Sequence, residues 1–72
     1  MRYYKTFIKQ LRNTGWILTD EGHGGDIYPH YFRYDHPADD EGRTIEFVCD
    51  SCKDGSPGRI LRMWQGGKEV VV

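Results

Sequence analysis

The stretch Lys53-Asp54-Gly55-Ser56-Pro57-Gly58-Arg59-Ile60-Leu61-Arg62-Met63-Trp64-Gln65-Gly66-Gly67 decides the fold. It reads as a short helix with both ends specified. The Ser56 hydroxyl can accept from a first-turn amide that has no partner within a helix. Pro57 suits the first helical position, where a missing N–H costs nothing. Gly66 and Gly67 supply a left-handed stop. Ile60, Leu61 and Trp64 fall on one helical face, and Arg59 and Arg62 point elsewhere. Gly58 costs about 1 kcal/mol inside such a helix. The same residues allow a strand from Arg59 to Gln65, turning at Gly66-Gly67 into Lys68–Val72, because Gly-Gly also closes two-residue hairpins.

Upstream, Tyr3, Tyr4, Phe7, Ile8 and Leu11 recur at helical spacing. Lys5, Lys9 and Arg12 occupy the other side of that helix at i, i+4 and i+7. Asn13-Thr14-Gly15 ends it, with Gly15 as the left-handed residue. Trp16–Thr19 reads as a first strand, and Asp20–Asp26, with three glycines and no apolar residue, as a loop. Tyr31–Tyr34 is an aromatic second strand that begins after Pro29, which cannot donate to a ladder. His36–Gly42 suits a hairpin loop. Thr44–Val48 is a third strand, continued by Cys49, with Ile45 and Phe47 sharing one face. The expectation is a single α+β domain over residues 1–72, helix–three-stranded antiparallel sheet–helix with a β-prone tail. The alternative is one helix with a four- to five-stranded antiparallel sheet. The expected core is Tyr3, Tyr4, Phe7, Ile8, Leu11, Trp16, Leu18, Phe32, Ile45, Phe47, Ile60, Leu61 and Trp64.

A chain of 72 residues lies near the size at which one core is only marginally stabilising, and ten aromatics offset this. The net charge of −1 hides a segregation. Residues 1–19 carry +4, residues 20–54 carry −7 through ten acids, and residues 55–72 carry +2. Such asymmetry points to a polar partner surface. No apolar run approaches the ~18 residues of a membrane span, basic residues interrupt the first apolar positions, and two cysteines are too few for a disulfide scaffold. A cytoplasmic protein is expected, with no small-molecule substrate evident.

Three segments carry a resemblance to the HicA-like (YcfA-type) toxins of bacterial and phage toxin–antitoxin pairs. They are the helix running through Phe7-Ile8-Lys9-Gln10-Leu11-Arg12-Asn13-Thr14 into Gly15-Trp16, the turn Gly22-His23-Gly24-Gly25, and Pro57-Gly58-Arg59-Ile60-Leu61-Arg62-Met63-Trp64. The resemblance implies a double-stranded-RNA-binding-domain-like fold, helix–three strands–helix. It also implies a metal-independent endoribonuclease that cleaves messenger RNA, with His23 as the catalytic residue and an antitoxin protein as partner. A strand in place of the last helix would remove that reading.

Four groups of residues are candidates for function. His23, between glycines, has the side chain best suited to move protons near neutral pH, and a phosphate could approach the backbone beside it. Lys5, Lys9 and Arg12 form a stripe that can track RNA phosphates, provided the acids of residues 20–54 lie elsewhere. Asp39, Asp40 and Glu41, within a wider set of acids, could instead meet a basic protein surface, as a small phage-type inhibitor would. Cys49 and Cys52 have the spacing of a zinc knuckle, which needs two further ligands to hold zinc in an interaction module. The bland readings are a solvated helix face, an exposed turn histidine, solubilising acids and two reduced cysteines.

Overall fold

The computed structural model of the chain describes residues 3–22, 30–38, 41–50 and 58–72. One helix, α1 (Tyr4–Asn13), precedes five strands: β1 (Ile17–Gly22), β2 (His30–Asp35), β3 (Thr44–Cys49), β4 (Ile60–Gln65) and β5 (Lys68–Val70). The strands form one antiparallel sheet in chain order, a five-stranded meander. This is the one-helix alternative.

The second helix expected over 53–67 is corrected where it can be seen. Residues 51–57 lie outside the described part, but Arg59 makes an isolated bridge to Tyr3 and Ile60–Gln65 is strand. Gly66 and Gly67, with φ of +60° and +83°, form a two-residue turn that sets Gln65 against Lys68. Two successive positive φ values define the type I′ hairpin turn, which matches the twist of its strands. The strand also accounts for the misleading spacing. Val48 pairs with Arg62 and Cys49 with Ile60, so Leu61 is an extra, bulged residue. The bulge turns Ile60 and Met63 to the same face at a spacing of three, imitating helical periodicity. Trp64 therefore points away from the core, and Leu61 is 43 % exposed. The three-strand architecture implied by the HicA-like resemblance loses its final segment with that helix.

The core lies between α1 and the middle of the sheet. Phe47 is fully buried at its centre, edge-on to Phe7 at 5.3 Å and stacked on Phe32 at 5.4 Å and Tyr34 at 6.1 Å. Leu11, Ile45, Cys49, Ile60 and Met63 complete the buried cluster, and Tyr4, Ile8, Trp16, Phe32 and Val70 pack at its edge. Tyr3 and Leu18, expected inside, are 42 % and 40 % exposed. Tyr34, Cys49 and Met63 take their place: Tyr34 pairs with Ile45 and Met63 with Phe47, and Cys49 follows Ile45 and Phe47 on the same face of β3. Asp20–Gly22, expected as loop, extends β1.

Both ends of α1 are tied down by partners remote in sequence. At its C-terminus the Gly15 N–H donates to the Arg12 carbonyl at 3.2 Å and the Trp16 N–H to the Leu11 carbonyl at 2.9 Å. With Gly15 at φ +93°, this is a Schellman stop. His36, just after β2, donates from Nε2 to the Thr14 carbonyl at 2.9 Å and accepts the Ala38 N–H at Nδ1, 3.1 Å away. Its ring stands edge-on to Trp16 at 5.1 Å. At the other end the Tyr4 N–H donates to the Gly58 carbonyl at 3.0 Å. Gly58 is buried there, and a Cβ on it would lie 2.7 Å from the Asp50 carbonyl oxygen and 2.8 Å from the Tyr4 ring.

That close approach explains a glycine that a helix would disfavour. Gly58→Ala should lower the unfolding free energy by roughly 1–3 kcal/mol, the cost of overpacking against backbone. Gly67→Ala, open in space but at positive φ, should cost about 1–2 kcal/mol. Urea denaturation of the two variants checks both, and a neutral Gly58→Ala would contradict the close approach.

Candidate functional site: a cationic helix flank and the cleft beside it

The amphipathic pattern of α1 buries Phe7 and Leu11 and leaves Lys5, Lys9 and Arg12 exposed along one flank. No acidic residue lies on α1. Among the described residues, each arginine outside α1 is paired with an acid. Arg33 meets Asp35 at 3.5 Å, Arg43 meets Glu41 at 3.7 Å, Arg59 meets Asp50 at 3.4 Å, and Arg62 holds Glu69 through two bonds. The three cations of α1 have no such pairing with a described residue, and Lys68 is the other cation in that condition.

Four of the described acids, Asp20, Asp35, Glu46 and Glu69, are on the other side. Alternation along the paired strands sends Asp20, Tyr31, Arg33, Asp35, Glu46, Arg62, Trp64 and Glu69 to the sheet face away from the helix. Both arginines of this face are engaged within it, Arg33 by Asp35 and Arg62 by Glu69. The Tyr31 hydroxyl donates to Glu46 at 2.7 Å, and the Arg62 guanidinium lies 5.1 Å from the Trp64 ring centre while binding Glu69. The bond from Arg62 holds the Glu69 carboxyl below its usual range. Val48, between Tyr31 and Arg62 in the register, is 4 % exposed despite facing away from the helix.

A cleft of about 600 Å³ runs between α1 and β1, lined by Ile8, Trp16, Ile17, Leu18, Phe32 and Tyr34, with Arg12 and Glu21 also at its walls. Its existence follows from the fold, since α1 sits over β2–β4 and leaves the helix-side face of β1 uncovered. A register shift between Leu18 and Asp20 sets Leu18 opposite Tyr34 and Glu21 opposite Phe32. Thr19 is the extra residue, and its hydroxyl donates to the Arg33 carbonyl at 3.3 Å. The bulge thereby brings Leu18 and Glu21 to the cleft side together. Burial pushes the Tyr34 phenol above its ordinary range. The Arg12 charge opposes that shift and the Glu21 charge adds to it, so both charges act on one hydroxyl.

The other candidates fare differently. His23, Asp39, Asp40 and Cys52 lie outside the described residues. Glu41 is exposed and paired with Arg43. Cys49 has no exposed surface and lies on the helix side of β3, opposite His30. Among the described residues no three His, Cys, Asp or Glu side chains group to hold a metal, and no helix is long and apolar enough to cross a membrane. Sequence reasoning missed Glu21 and the cleft, whose signal was the i, i+3 recurrence of Leu18 and Glu21. No protein-family model, curated protein or solved structure matches the chain.

The far face carries a pH signature. Burial, then the hydrogen bond to Glu46 and its negative charge, push the Tyr31 phenol up from 10.0 to about 12. An acid whose folded pKa is raised contributes stability that is complete below its unfolded value. That contribution is lost as pH rises through the folded one. Stability should therefore fall between about pH 10 and 12, and Tyr31→Phe should flatten that fall. Urea midpoints across this range check it, and an unchanged slope in the variant would assign the loss to other groups.

Proposed function

We propose that this chain is an RNA-directed binding protein that grips the phosphate backbone through Lys5, Lys9 and Arg12. The observation that carries the reading is the pairing pattern: four arginines elsewhere each meet an acid, and the three α1 cations meet none among the described residues. Leaving three cations side by side on one flank is electrostatically unfavourable, and a polyanion relieves it. The condition that the acids lie elsewhere is met for Asp20, Asp35, Glu46 and Glu69, which face away from the helix. The acidic-hairpin reading draws less support, because Glu41 is already engaged by Arg43.

Binding of this kind releases counterions. For a single strand held by three cations, log K should fall against log salt with a slope of about −2. Lys9→Ala should reduce the slope by about 0.7, and reversing Lys5, Lys9 and Arg12 to Glu should abolish binding. Lys68→Ala, which removes an exposed cation on β5, at the sheet edge opposite β1, should leave both affinity and slope in place. Fluorescence anisotropy with a labelled RNA decamer at several salt concentrations checks this. Equal losses for Lys9→Ala and Lys68→Ala would show only diffuse charge attraction.

A further inference from the structure

Three features of the α1–β1 cleft go beyond a grip on phosphate. Its walls are aromatic and aliphatic: Trp16, Phe32 and Tyr34 with Ile8 and Leu18. Its volume, about 600 Å³, falls in the range of small-ligand sites, about 300–1,000 Å³. It holds two charged groups of opposite sign, Arg12 on the helix and Glu21 on the strand, with no ion pair between them. A ligand that suits this site has an apolar planar body, an anionic group toward α1 and hydrogen-bond donors toward β1. The cationic flank continues from Arg12 through Lys9 to Lys5, roughly 10 Å along the helix. Three cations against one carboxylate favour a polyanion over a peptide, whose ends carry one charge of each sign.

We infer that the cleft seats one unpaired nucleotide of a bound RNA strand and that Glu21 reads its base as guanine. The inference rests on the reading of α1 as the RNA contact. The base lies against the apolar wall formed by Phe32 and Leu18, as unstacked bases do on aromatic surfaces. Its phosphate meets Arg12. Guanine presents adjacent N1–H and N2–H donors on its Watson–Crick edge, and a carboxylate, which only accepts, takes both. Adenine presents an acceptor at N1, which the Glu21 carboxylate repels. In a duplex that edge is already occupied, so the cleft selects single strands.

The test uses labelled oligouridine decamers carrying one central guanine, adenine or abasic site, together with the duplex form of the guanine strand. The guanine strand should bind about tenfold more tightly than the adenine and abasic strands, a typical yield of one good bidentate contact. Its duplex should bind more weakly than the single strand. Glu21→Gln, at an exposed strand position, should bring the guanine-to-adenine ratio to within about twofold. Leu18→Trp, which fills the cleft, should do the same while the salt slope persists. Equal affinities for all three single strands, with the Lys9 dependence intact, would overturn the base-reading inference alone. No salt-dependent binding of any strand would overturn it together with the RNA reading.

Discussion

Phe47 is the point on which the structure turns. Its ring has no exposed surface and contacts the helix through Phe7 and its neighbouring strand through Phe32 and Tyr34. One helix of ten residues must cover a five-stranded sheet. A helix is about 10 Å wide and strands stand about 4.8 Å apart, so it covers two or three strands well. Centred over Phe47, α1 shields β2, β3 and β4. β1 is left with an open helix-side face, and β5 contributes only Val70. The cleft is thus a geometric remainder of having one cover for five strands.

The charge pattern acquires a physical meaning from the same arrangement. Along the chain it runs basic, acidic, basic; in space a cationic helix lies above a sheet whose far face carries Asp20, Asp35, Glu46 and Glu69. The sheet face engages both of its arginines, in the Arg33–Asp35 and Arg62–Glu69 pairs, and Glu46 accepts from Tyr31. Exposed pairs of this kind add little to stability, about 0–1 kcal/mol each. Their consequence is that the described arginines outside α1 are engaged, while Lys5, Lys9 and Arg12 are paired with no described acid.

How much of this was legible in the sequence follows from the range of the interactions involved. The helix, its Gly15 stop and its cationic flank were readable, because they depend on neighbours within a few residues. The third strand was readable from the alternation of Ile45 and Phe47. Residues 53–67 read as either helix or strand, since the bulge at Leu61 makes Ile60 and Met63 recur at a helical interval while Gly66-Gly67 also suits a hairpin. Gly58 could not be understood locally: the groups that demand a glycine there are Asp50 and Tyr4, distant in sequence. Local preference ends β1 at Thr19, because acids and glycine disfavour strands, and pairing with Tyr31–Arg33 overrides it. Glu21 was illegible as a site residue for the same reason, since its direction is set by a register shift against β2.

The central claim is that the helix flank and the cleft form the working surface and the opposite sheet face does not. Backbone amide shift mapping of the full chain, titrated with a guanine-containing RNA decamer in low salt, addresses it most directly. The account predicts perturbations at Lys5, Lys9, Arg12, Leu18 and Glu21, with Tyr31, Glu46, Arg62 and Trp64 unmoved. Perturbations centred on Glu46, Arg62 and Trp64, with the helix flank silent, would contradict it.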